Sequence, residues 1–217
     1  MSLRLVGDRD NLSSMEAAIS VECLDIRWGC KGKGMTVAIA KWTLEEYHRL
    51  VESGLLDHRR VELIKGEIVE MPPEGEPHAY SSTESGNYLV RLLGKKATIR
   101  PAKPITLPNQ SEPEPDVAIV QPLGREYLNH HPYPEDVFWL IEYSDSTLAK
   151  DLDIKTGMYA EVNIPEYWVV NLKTQTLIVF RNPQSGQYAT RQEYTSGNIT
   201  SLAFPAIPIS VKAIVDY

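Results

Sequence analysis

Cysteine is scarce in this chain. Only Cys23 and Cys30 occur among 217 residues. Two thiols cannot build the disulfide framework of a small secreted domain, and they read as ordinary reduced cysteines. A zinc site would need two further ligands at suitable spacing, and neither His48 nor His58 stands in a C-x-x-C or H-x-x-x-H pattern. Long apolar runs are also missing. A stretch such as Val137–Ile141 falls far short of the ~20 residues that span a bilayer. Residues 1–20 carry Arg4, Asp8, Arg9, Asp10 and Glu16 and so lack the apolar core of a signal peptide. Positive charge is in deficit, with 22 Lys and Arg against 29 Asp and Glu, a net charge of -7. That balance argues against a protein that coats nucleic acid nonspecifically. It leaves room for an enzyme with a local basic groove and an acidic metal site. These absences predict a soluble, cytoplasmic protein with no membrane partner.

What is present is globular. Hydrophobic residues make up 42% and charged residues 24%, which excludes wholesale disorder. At roughly 150 residues per domain the length suits one domain with a small extension. Residues 1–34 end in the loose Gly29-Cys30-Lys31-Gly32-Lys33-Gly34. They read as an N-terminal extension, poorly ordered or produced by a start assigned too far upstream; a strand over Val21–Trp28 is the other reading. The folded domain is expected over 35–217.

Thr43-Leu44-Glu45-Glu46 has the form of a capping box, with apolar residues following at helical spacing, so a helix is predicted over Thr43–Ser53. Val61–Met71 reads as strand, glycine-marked turn and strand. A second helix is expected over His78–Leu93. Thr98–Leu107 reads as a strand interrupted by prolines, hence near a sheet edge. Val117–Val120 and Val137–Ile141 are continuous apolar runs, the pattern of central strands buried on both faces. A helix over Thr147–Val162, a hairpin of Tyr167–Asn171 with Thr176–Arg181, and a strand over Gln187–Tyr194 follow. No repeat or low-complexity segment interrupts the order. The fold class is α/β or α+β with a mixed sheet.

The carboxylates within these elements carry the chemistry. Glu142 ends one apolar run and Asp116 begins the other. If the two strands pair antiparallel, both acids meet at one end of the sheet. Paired carboxylates repel and are usually reconciled by a divalent metal or a shared proton; two solvated strand ends are the plainer alternative. Thr147, Asp151, Lys155 and Tyr159 recur every fourth residue along one helix face. Lys155 would therefore bring an ammonium back toward the sheet end, unless it merely pairs with Asp151 on the surface. Glu62 is a third acid inside a β-like segment, and His78 opens a helix.

In order, Glu62-Leu63-Ile64-Lys65-Gly66-Glu67-Ile68, His78, Pro113-Glu114-Pro115-Asp116-Val117, Ile141-Glu142-Tyr143-Ser144, Asp151 with Lys155, and Ile164-Pro165-Glu166-Tyr167-Trp168 form a familiar set. It resembles the Uma-two family of restriction-endonuclease-like proteins, a branch of the PD-(D/E)xK nuclease superfamily, over about Lys41–Arg181. The resemblance implies a restriction-endonuclease-like core with a mixed central β-sheet flanked by helices. It implies catalysis by Asp116, Glu142, Lys155 and Glu62, with Mg²⁺ (Mn²⁺ substituting) held by Asp116, Glu142 and Glu62. The superfamily lysine two residues after the second acid is replaced here by Ser144. Lys155 sits at the place to which this family has moved it, with Lys150 a weaker substitute. The implied activity is hydrolysis of DNA phosphodiester bonds, and a homodimer is the expected assembly for cutting both strands.

Between Ser85 and Ser111 there is no acid, yet Arg91, Lys95, Lys96, Arg100 and Lys103 are present. Arg91, Lys95, Lys96 and Arg100, with His78, are the candidate substrate-binding residues; a solvated helix end is the alternative for the strip. RNA or structured DNA as substrate, and a non-catalytic module that binds nucleic acid or protein on the same fold, are the competing readings.

Overall fold

The Thr43 hydroxyl accepts from the Glu46 amide at 3.2 Å, while Oε2 of Glu46 accepts from the Thr43 amide at 2.9 Å. These reciprocal bonds satisfy two orphan donors and start helix α1 (Leu44–Glu52) where the capping box predicts it. In the computed structural model, residues 39–144 and 148–216 are described, with backbone alone over 148–153. The proposed extension 1–34, the Val21–Trp28 strand, Cys23, Cys30 and Thr147 lie outside the described residues, as do the side chains of Lys150 and Asp151.

Strands β1 (Val61–Ile64) and β2 (Glu67–Glu70) pair antiparallel across a two-residue turn. Both turn residues have positive φ, +48° at Lys65 and +80° at Gly66, the twist that suits a tight hairpin. A Cβ at Gly66 would come within 2.9 Å of the Trp42 carbonyl, so glycine is required there sterically as well. Helix α2 (Glu76–Leu93) begins two residues before the expected His78, because Pro77 in the first turn needs no amide partner and has its φ already set.

The main sheet has six strands in the order β3-β4-β5-β6-β7-β8. They are β3 (Thr98–Pro101), β4 (Val117–Val120), β5 (Val137–Ser144), β6 (Glu166–Asn171), β7 (Thr176–Gln184) and β8 (Gln187–Tyr194). The β5–β6 pair is parallel and joined through helix α3 (Leu148–Glu161); every other neighbouring pair is antiparallel. The sheet is therefore mixed. The strand expected over Thr98–Leu107 stops at Pro101, since Ala102 turns to φ +43°, and it is an edge strand as its prolines predict.

The apolar runs of β4 and β5 are explained by burial on both faces. Val117, Ile119, Trp139 and Ile141 pack with Leu89 and Leu93 of α2 and with Ile214 of the C-terminal helix α4 (Lys212–Val215). Ala118, Val120 and Leu140 face the other way, onto Met158 and Tyr159 of α3. Among the described residues no helix is long and apolar enough to cross a membrane.

Glu166, the acid of the Ile164–Trp168 segment, is wholly buried and serves this packing. Its carboxylate accepts from Trp168 Nε1 at 2.7 Å, Arg181 Nε at 2.8 Å and the Leu202 amide at 2.7 Å. It thereby binds two strands to the C-terminal loop. Glu166→Ala leaves the Arg181 guanidinium without its buried partner and is expected to cost about 3–5 kcal/mol in urea unfolding. A loss below 1 kcal/mol would show that the cluster does not hold the fold.

Candidate active site

The register of β4 against β5 decides where the acids meet. Val117 lies opposite Ile141, so Asp116, just before β4, stands beside Glu142. Glu142 lies inside β5, which runs on to Ser144, opposite Val169 of β6. The acid was expected at the strand's end; the parallel ladder with β6 extends pairing past it. The β1–β2 hairpin brings a third carboxylate. The Glu62 side chain is only 8% exposed, so it is not a solvated strand acid. Its Oε2 accepts from the Glu114 amide at 3.2 Å.

Lys155, two turns into α3, joins these strands. Its Nζ donates to Glu142 Oε1 at 2.9 Å and lies 3.6 Å from Glu62 Oε2. The Tyr159 hydroxyl, one turn further on the same helix face, donates to Glu142 Oε1 at 3.1 Å. On the other side of the sheet end, His78 of α2 places Nε2 3.0 Å from Asp116 Oδ2. The Tyr143 amide donates to that same oxygen at 2.6 Å. Thus Asp116 is held through Oδ2 and Glu142 through Oε1. Among the described residues no hydrogen bond reaches the second oxygen of either acid.

Burial raises the pKa of Glu142 to about 7, and the nearby Asp116 and Glu62 charges push the same way against Lys155. Burial alone would lower the Lys155 pKa, but Glu142 and Glu62 outweigh it and hold the ammonium charged. His78 follows the same pattern: burial opposes its charge, yet the hydrogen bond and charge of Asp116, with Glu74, raise its pKa. Burial also raises Glu114, which lies near Arg60 and Lys103.

A stability profile follows for protein free of divalent cations. Between about pH 4.5 and 7 the folded state keeps a proton on Glu142 that the unfolded state has lost, so stability falls as pH rises through that window. His78, with its folded pKa raised, contributes stability below its ordinary value and loses it as pH rises through the folded one. Both slopes have the same sign. Glu142→Gln is expected to flatten the carboxylate's part and so to stabilise the metal-free fold more at pH 8 than at pH 5. Melting curves from pH 4 to 8 check this; an unchanged slope in the variant would remove Glu142 as its source.

The structure therefore brings together Asp116, Glu142, Glu62, Lys155 and His78. It does not bring Arg91, Lys95 and Lys96 of the basic strip to them. Arg91 stands 13 residues after His78, about 20 Å along α2, and Lys95 and Lys96 follow it. That turn leads into the Thr98 end of β3, while Asp116 adjoins the Pro101 end. Arg100 is half-buried, 5.4 Å from the Tyr127 ring centroid and 3.5 Å from His131 Nδ1. Sequence reasoning noticed Tyr159 only as a face position of the helix and gave it no role, although its spacing from Lys155 was the available signal. Glu74, 3.7 Å from His78 Nδ1, and the burial of Glu114 carried no signal, since loop geometry sets both.

All three acids offer oxygen, the donor chemistry that Mg²⁺ takes, so the donor set fits the ion. Among the described residues no three His, Cys, Asp or Glu side chains already surround one point; Lys155 bridges two of the acids instead.

Comparison with known proteins gives a consistent picture. The family model described as "Uma2: Putative restriction endonuclease" matches residues 44–212. Among solved structures, one from Anabaena variabilis ATCC 29413, described as "a putative nuclease belonging to DUF820", superposes with a TM-score of 0.63. It covers 80% of this chain and 97% of its own at 17% identity, a likeness of fold. None of the curated proteins matches the chain.

Proposed function

The chain belongs to the Uma2 family of restriction-endonuclease-like proteins, and from that premise we propose that it is a nuclease hydrolysing DNA phosphodiester bonds with Mg²⁺ held by Asp116, Glu142 and Glu62. The observation that carries the reading is the convergence of three largely buried carboxylates on one sheet end, beside the ammonium of Lys155. Bare carboxylates in such a place are costly unless a cation is at hand. When bound, Mg²⁺ neutralises phosphate charge and lowers the pKa of water in its shell.

The chain's own groups do the rest. Asp116 and Glu142 would hold the cation, each having one oxygen tied to the protein and, among the described residues, a second with no hydrogen bond. Lys155 keeps a positive charge within reach of Glu142 and Glu62, where it balances the acids and stabilises charge gathering on the phosphate oxygens in the transition state. A water oxygen bonds to phosphorus, the P–O3′ bond breaks and a proton passes to the departing oxygen, leaving 5′-phosphate and 3′-hydroxyl ends. Arg60 and Lys103, both near Glu114, supply positive charge for neighbouring phosphates. A homodimer belongs to the same reading, since one such site per chain cuts one strand at a time.

The test is incubation of supercoiled plasmid, single-stranded DNA and RNA with purified protein in Mg²⁺, Mn²⁺ or EDTA. Metal-dependent nicking is expected, with linear product where two copies act together. Cleavage of RNA alone would replace the substrate. Failure to cleave any of them, with no thermal stabilisation by Mn²⁺, would leave a binding module on a nuclease fold.

A further inference from the structure

We propose that His78 is a positioning residue which fixes the Asp116 carboxylate so that Oδ1 is the oxygen presented to the cation, rather than a group that contacts substrate. The inference rests on the metal-dependent reading above and assigns a role within the same site.

The terminal torsion of an aspartate is soft, so a carboxylate held by one donor swings about its Cβ–Cγ bond. Here a backbone amide and an imidazole nitrogen both stand within 3.0 Å of a single oxygen. The Tyr143 amide approaches Oδ2 from the neighbouring strand β5 at 2.6 Å, and His78 Nε2 lies 3.0 Å from it on the helix side. The backbone donor comes with β5 and survives any side-chain change. Among the described residues His78 alone supplies a second direction, one that stops rotation and leaves Oδ1 without a hydrogen bond.

The imidazole is itself immobilised. It lies in the first turn of α2, 17% exposed, with the Tyr143 ring edge-on at 5.9 Å between centroids. Its Nδ1 is buried and has no hydrogen bond among the described residues, and Glu74 Oε2 stands 3.7 Å from it. Glu74 is anchored in turn by Arg60 at 3.0 Å. The sequence Arg60, Glu74, His78, Asp116 runs inward from the rim of the site to the acid. A histidine with Nε2 committed to a carboxylate and Nδ1 buried has no ring nitrogen left for a phosphate. This is why the substrate-binding role expected of His78 is set aside. Partners of this kind behind a metal ligand are worth about 10–100-fold in metal affinity.

The experiment is calorimetric titration of the full chain with Mn²⁺, for wild type, Asp116→Asn, His78→Ala and His78→Gln, alongside melting curves without metal. The glutamine amide places a neutral donor near the position of Nε2. Wild type is expected to bind Mn²⁺ and Asp116→Asn to lose it. His78→Ala should bind 10–100-fold more weakly while remaining folded, and His78→Gln should recover most of the affinity. In cleavage assays the Mg²⁺ concentration for half-maximal rate should rise in His78→Ala, with the rate at saturating Mg²⁺ little changed. Wild-type Mn²⁺ affinity in folded His78→Ala overturns the proposal, and so does a glutamine variant no better than alanine. If wild type binds no Mn²⁺, or Asp116→Asn binds it equally well, the metal reading itself fails, a result distinct from the first two.

Discussion

Alanine at Asp116 or at Glu142 is expected to reduce Mg²⁺-dependent cleavage of supercoiled plasmid by at least about 10³-fold, equivalent to roughly 4 kcal/mol of transition-state stabilisation. Each variant removes a carboxylate with one oxygen fixed by the protein and the other, among the described residues, without a hydrogen bond. Neither change should unfold the chain. Loss of Glu142 removes a buried acid whose ionisation burial already opposes, and Lys155 keeps Glu62 as a partner at 3.6 Å. Loss of Asp116 leaves the Tyr143 amide and His78 without an acceptor at a site open enough for water, its side chain being 15% exposed. Melting curves and nicking assays on the same preparations test both halves. Cleavage that survives in both variants would identify a contaminating nuclease and end the assignment of these acids. Cleavage lost in only one would reduce the site to a single essential carboxylate.

Lys155→Met should have the largest effect on stability. Removing one member of a buried ion pair leaves the other uncompensated, at a cost of about 3–5 kcal/mol. Here two carboxylates, Glu142 and Glu62, lose the same ammonium. The sign of the pH dependence separates this from a packing defect. At pH 5 Glu142 is already largely protonated in the folded protein, so the methionine variant loses less there. At pH 8 it must either carry buried negative charge or take up a proton, so its deficit grows as pH rises. Glu142→Gln combined with Lys155→Met should recover much of the deficit at pH 8, because the stranded charge is gone. Urea unfolding at the two pH values measures this. A deficit independent of pH, unchanged in the double variant, would mean that Lys155 contributes only its hydrocarbon stem. Cleavage should be lost in Lys155→Met even where Mn²⁺ restores its stability, since the ammonium's charge is not replaced at the phosphate.

Much of this protein was written locally and could be read without coordinates. The Thr43–Glu46 capping box, the Lys65-Gly66 turn and the continuous apolar runs of β4 and β5 each reflect forces acting within a few residues: cap hydrogen bonds, backbone φ preference, and burial on two faces. The meeting of Asp116, Glu142 and Lys155 was likewise visible, because strand pairing and the four-residue recurrence of a helix face bring separated residues to one end of a sheet; Glu62 joined them only through the family resemblance. Tertiary structure alone decided what long-range register and loop placement control. It put His78 on Asp116 and Glu74 behind His78, contacts spanning a loop and a helix start with no periodicity to reveal them. It tied Glu166 into a structural cluster, although that residue sits in a segment as suggestive as those of the candidate site acids. It also carried Arg91, Lys95 and Lys96 to the far end of α2, away from the acids. Charge composition records how many cations a segment holds, whereas a helix rising 1.5 Å per residue decides where they stand.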